Sequence, residues 1–153
     1  MSPPLEENLA ALIPHQGGMC LLERVLAWDD TSIRLATDTH RALDNPLRSA
    51  HGNETWLRAV HLCEYGAQAM AVHGALRARA RGTQMQPGFL VSLRAVHFAC
   101  ERVDDLPDEL IVIANCLQDA ATSLQYSFSI SHRDRELAAG RAAVVLAAQM
   151  MSV

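Results

Sequence analysis

A carboxylate on an apolar helix face is the residue of this sequence with the most chemistry to offer. Within VHLCEYGAQAM and the residue after it, Val60, Glu64, Ala67 and Ala71 recur at i, i+4, i+7 and i+11, which places Glu64 on a narrow stripe of small residues. Charged side chains are almost never fully buried unless paired. Two readings follow. Glu64 forms a structural ion pair with an Arg of a neighbouring strand, such as Arg94, or burial keeps its carboxyl protonated and ready to deliver a proton. In a helix that begins near Thr55, it sits about two and a half turns in, where the N-terminal dipole has faded. Gln68, one turn later, either orients that carboxyl or faces solvent. His61, three residues earlier, is a weaker acid-base partner. His51, in an irregular loop beside Gly52, is either a base bent toward the helix or a solvent-facing loop residue.

The remaining candidates point to no metal or cofactor. His15, in PHQGG, reads as a corner residue, and His40, His73, His97 and His132 share no metal-ligand spacing. Cys20, Cys63, Cys100 and Cys116 form no CxxC pair and read as reduced, buried thiols. There is no GxSxG elbow, P-loop, GxGxxG after a strand, or HExxH, which leaves serine hydrolase, nucleotide-binding and zincin chemistry without support. A reaction without cofactor is the expectation.

Charge and composition narrow the class further. The 153 residues carry 17 acids against 13 bases, every base is Arg, and the net charge is -4, which argues against phosphate neutralisation on a nucleic acid. Arg77, Arg79 and Arg81 favour the C-terminal end of a helix dipole, or, with Arg58, attract an acidic carrier protein. The longest apolar run, Ala142 to Ala148, is far short of a membrane span. The N-terminus begins without Arg or Lys and carries Glu6 and Glu7, unlike a signal or transit peptide, so the cytoplasm is the expected location.

These side chains need elements to hold them. Helical spacing predicts a short helix from Leu5 to Ile13, ended by Pro14, and a long one from about Thr55 to Ala80, closed by Gly82. Strands are expected over 19–28 and 31–39, with a turn at Asp29 and Asp30, then over 89–100, 109–118, 122–132 and 136–148. Residues 40–53 read as an irregular loop. Alternation is clearest where Leu124, Tyr126, Phe128 and Ile130 share one face and Ser127, Ser129 and Ser131 the other. Strands grouped after one long helix imply an α+β domain spanning 1–153, with about six antiparallel strands curled around that helix.

Three segments in order carry a resemblance. IPHQGGMCLLERVLAWD (13–29), CEYGAQAM (63–70) and FLVSLRAVHFACERVDDLPDEL (89–110) are similar to the opening strand, helix motif and following strand of the β-hydroxyacyl-acyl-carrier-protein dehydratases. The nearest branch is that of the dehydratase-like proteins encoded with aryl polyene pathways. The resemblance implies a hot-dog fold, dimeric, with the acyl tunnel at the subunit interface. It also implies a loop His that removes the proton beside the thioester carbonyl, and a helix carboxyl from the other subunit that protonates the departing β-hydroxyl. Glu64 maps onto that acid, Gln68 onto its companion, and a backbone NH near Val91 onto the group that stabilises the enolate; Gln68, Val91 and His61 are the expected substrate contacts.

The family base position falls on Ala50, one residue before His51. Either His51 takes over the role, or the chain is a silent partner subunit of a hot-dog heterodimer. A third reading is an acyl-thioester hydrolase on the same fold. The expected partners are an acyl carrier protein or acyl thioester and a second hot-dog chain, identical or different, with no nucleic acid and no membrane.

Overall fold

Among the described residues, eight strands and one long helix run in the order β1 (Arg24–Trp28), β2 (Ser32–Thr37), β3 (Ser49–His51), β4 (Glu54–Trp56), α1 (Leu62–Ala80), β5 (Gly88–Phe98), β6 (Leu110–Asp119), β7 (Ser123–His132) and β8 (Arg135–Leu146). This computed structural model describes Leu9, Leu12, residues 19–84 and residues 86–146. The opening helix and the His15 corner lie outside these, except for Leu9 and Leu12, which are buried in the core. Six strands form one antiparallel sheet in the order β1-β2-β6-β7-β8-β5, while β3 and β4 pair only with each other. The β1–β2 turn is set by Asp29, whose Oδ1 accepts the Thr31 and Ser32 amides, each at 2.9 Å.

Helix α1 rests on β2, β6 and β7. Tyr126, Phe128 and Ile130 of β7 and Leu110, Val112 and Ala114 of β6 face it and are buried, and the serines of β7 stay on the other face, as the alternation predicts. Gly66 allows the close approach, since a Cβ there would stand 2.7 Å from Phe128 Cδ2. The helix ends in a Schellman motif, with Thr83 N–H on Ala78 O, Gly82 N–H on Arg79 O and Gly82 at φ +68°. A helix wrapped by a curled antiparallel sheet is the hot-dog layout.

Several local expectations change. The long helix begins at Leu62, not Thr55, because the preceding backbone is taken by another segment: Ala59 N–H donates to Glu101 O, Val103 N–H to Leu57 O, and Leu57 N–H to Asp104 Oδ1. The fully buried helix face is Leu62, Tyr65, Ala69, Val72 and Leu76, so the stripe through Val60, Glu64, Ala67 and Ala71 is a partly buried flank, with Val60 55% exposed. The 40–53 loop contains a 3-10 turn and strand β3, and the first strand is confined to Arg24–Trp28. Arg77 is buried and paired with Asp119 and Asp30, and Arg81 also meets Asp30, so these two guanidiniums are committed within the chain rather than presented to a carrier. The four cysteines are half-buried and unbridged, and burial pushes each thiol up.

Two imidazoles, those of His40 and His73, are fully buried. His73 bridges Asp29 O through Nε2 (2.8 Å) and the Tyr126 hydroxyl through Nδ1 (2.7 Å), and His40 Nε2 donates to Leu106 O at 3.1 Å. Burial holds both below the ordinary imidazole range, only partly offset by the carbonyl contacts. The folded chain therefore keeps them neutral where the unfolded chain takes up protons near pH 6.5. Stability should be full above that pH and fall as the pH drops below it, by up to about 1.4 kcal/mol per pH unit for each group. Urea unfolding at pH 7.5 and 5.5 measures this, and His73→Gln should flatten the slope even if it lowers stability throughout.

Candidate functional site

The helix start decides where the acid stands. Glu64 occupies the first turn of α1, at the positive end of the helix rather than beyond its influence, and is half-buried. Gln68, one turn on, is 2% exposed and held from three sides. Its Oε1 accepts the Leu21 amide at 2.9 Å, its Nε2 donates to Met19 O at 2.6 Å, and the same Nε2 reaches Glu64 Oε1 at 3.4 Å. The residue expected to orient the carboxyl thus touches it, and is itself anchored to the backbone leading into β1. Arg94 stands opposite Arg141 on the sheet face away from α1, so the Glu64–Arg94 pair does not form.

The segment that holds Gln68 is tied back to the helix. Leu21 O accepts the hydroxyls of Thr37 (2.5 Å) and Thr39 (2.6 Å), and Thr39 Oγ1 lies 2.9 Å from the hydroxyl of buried Tyr65, which also accepts from Asn45 at 3.1 Å. Burial pushes the Tyr65 hydroxyl up, so it stays protonated within this network. The acid is carried on a framework closed by hydrogen bonds on both sides of the helix turn.

His51 sits elsewhere. It ends β3 in an exposed hairpin, its ring stacked on Trp56 with centroids 3.6 Å apart, and Arg58 Nη2 lies 3.1 Å from its Nδ1. No hydrogen bond joins it to Glu64. His61 is half-buried just before α1 and likewise makes none to the acid. Val91 of β5 is 54% exposed and falls at a break in the β5–β8 register, so no residue of β8 stands opposite it. Among the described residues no group of three or more His, Cys, Asp or Glu side chains converges as a metal site, and no helix is long and apolar enough to cross a membrane.

Sequence reasoning missed the anchor of this hairpin. Asp104 accepts Leu57 N–H at 2.9 Å and both Nε and Nη2 of Arg102, and lies 3.7 Å from Arg48 Nη1, with both the Asp104 and Arg48 side chains under a tenth exposed. Burial alone would raise the Asp104 carboxyl, yet the Arg102 and Leu57 hydrogen bonds hold it below the usual carboxylate range. Arg48 also donates to Ala42 O and Thr55 O, and Arg102 lies 4.3 Å over the Trp56 ring. The cue in the sequence is the acidic pair Asp104-Asp105, separated from Arg102 by Val103.

A family model described as ApeP-like, ApeP dehydratase, matches residues 7–153. The dehydratase heterocomplex ApeI:P from Xenorhabdus doucetiae superimposes with a TM-score of 0.81 at 21% identity, covering 95% of this chain and 97% of that one. A hypothetical thioesterase from Streptococcus pneumoniae TIGR4, solved with coenzyme A, gives 0.54 at 12% identity over 80% and 83% of the two chains. The E. coli PaaI protein from the phenylacetic acid degradation operon gives 0.54 at 14% over 79% and 80%. At such identities these likenesses are of fold. No curated protein matches.

Proposed function

The chain belongs to the ApeP-like dehydratase family, and from that premise we propose that it is the acid-bearing half of a hot-dog pair that dehydrates 3-hydroxyacyl thioesters on an acyl carrier protein in the cytoplasm. The observation that carries this is the three-point hold on Gln68, which keeps a hydrogen-bond donor against Glu64 at the helix N-terminus. In the elimination, a base takes the proton beside the thioester carbonyl, and the electron pair is held as an enolate. Glu64 then protonates the β-hydroxyl as its C–O bond breaks, and one water leaves. The Val91 backbone, outside the regular ladder, and the positive end of α1 are the groups offered to the enolate oxygen.

The base is better supplied by the second chain. Arg58 has no acceptor, so its contact to Nδ1 makes that nitrogen the acceptor, and the neutral ring then carries its proton on Nε2. The outer nitrogen of His51 is thereby a donor, suited to holding a substrate oxygen rather than removing a proton. Two features support pairing. The stripe carrying Glu64 is only partly buried within the chain, and edge strand β5 leaves Phe89, Leu90, Val91, Leu93 and Phe98 exposed. The solved relative is itself described as a dehydratase heterocomplex.

The test offers a 3-hydroxyacyl carrier substrate to the purified protein, alone and with a hot-dog partner, and follows enoyl product and free thiol. We expect enoyl product from the pair, no thiol release, and little change on His51→Ala. Thiol release makes the chain a hydrolase, and enoyl formation by the chain alone, lost in His51→Ala, returns the base to His51.

A further inference from the structure

The sheet face turned away from α1 carries a second constellation. Arg94 of β5 and Arg141 of β8 are direct register partners, both exposed, and neither meets a carboxylate among the described residues. Like charges directly opposite across a strand pair repel each other, so the arrangement is unfavourable unless something anionic sits between them. Just beyond Arg94 the register skips to His97, and Ala95 adopts φ +52°, a left-handed conformation that a non-glycine residue takes only at a cost. In an unbroken strand residues 94 and 97 point to opposite faces; the bulge turns both to the same one. His97 and Arg141 line a shallow groove of about 300 Å³ into which Asn115, Ser127 and Ser129 also open, and Arg94 stands beside it as the register partner of Arg141. The one carboxylate at its rim, Glu136, is engaged by His97 at 3.3 Å.

We propose that this groove binds a phosphate group at its Arg141 side, where Arg94, directly across the strand pair, supplies the second guanidinium and the Ser127 hydroxyl a neutral donor. Paired guanidinium forks match the oxygens of a dianion, and hydroxyls complete its hydrogen bonding. The sheet separates this groove from Glu64, so the site is independent of the dehydration chemistry. The phosphate comes either as a free anion or as a phosphomonoester.

Amide NMR spectra of the full chain, titrated with inorganic phosphate and separately with O-phosphoserine, test this against sodium chloride at matched ionic strength. We expect saturable shifts confined to residues 92–97, 127–129 and 139–141, and about tenfold weaker binding in Arg94→Gln and in Arg141→Gln, the factor for one charge-assisted hydrogen bond. Arg141→Gln should also melt higher than the parent without phosphate, because the repulsion is gone. Tighter saturation by phosphoserine identifies an esterified source and the reverse a free anion, and both uphold the site. Shifts matched by chloride, or binding unchanged in both variants, overturn it.

Discussion

Glu64→Gln in the assembled pair should lower the rate of enoyl formation by about 10²- to 10⁴-fold, the range supplied by a positioned general acid. Substrate affinity should barely change. The substitution is isosteric and keeps an oxygen facing Gln68 Nε2, which lies 3.4 Å from the native carboxylate. What it removes is the transferable proton. An acid acting only in the transition state should therefore show a loss in kcat with KM nearly constant. Gln68→Ala provides the complement: it releases the Leu21 and Met19 contacts, so the carboxyl loses its fixed direction, and the loss of rate should be smaller. Full enoyl formation by Glu64→Gln would mean that the chain is a silent partner.

Asp104→Ala should be the most destabilising single change outside the apolar core, by about 3–5 kcal/mol, because it strands a buried cation without its partner. Arg48 is the cation left behind, its side chain 8% exposed, and Leu57 N–H loses its acceptor as well. Asp104→Asn keeps one acceptor for that amide and should fall between the two. Urea unfolding curves give the difference, and Trp56 fluorescence reports the local consequence, since Arg102 is held over the indole by the same carboxylate. A loss under about 1 kcal/mol, typical of an exposed pair, would show that the hairpin is not anchored there.

The parts of the fold that were legible are those where local pattern and tertiary demand agree. Strands β6 to β8 alternate because one face meets the helix and the other meets water, and their limits fall within a few residues of expectation. The helix end was announced by Gly82 for the same reason. The helix start was not, because Thr55 to His61 have acceptable helix formers whose amides are claimed by residues 101–104, a contact no local pattern encodes. The buried face was misplaced because α1 is rich in Ala on every side, while the face toward the sheet includes Tyr65, His73 and Arg77. Hairpin β3–β4 escaped because each strand has only three residues, although Gly52 at φ +62° marked its turn. Of the site, the Glu64–Gln68 contact was readable from helical spacing alone. The tautomer of His51 was not, since it depends on an Arg across the hairpin.

The breaks in β5, one at Val91 and one at Ala95, shape what can grow on that edge. Each leaves at most three or four consecutive residues flat enough to template a neighbour, so a generic extended peptide finds no long track there. An uninterrupted strand with five bare apolar side chains would invite stacking into filaments. Here only a chain whose own contour matches both kinks gains a full set of bonds, so the protein stored alone at high concentration should form small discrete species rather than fibrillar deposits.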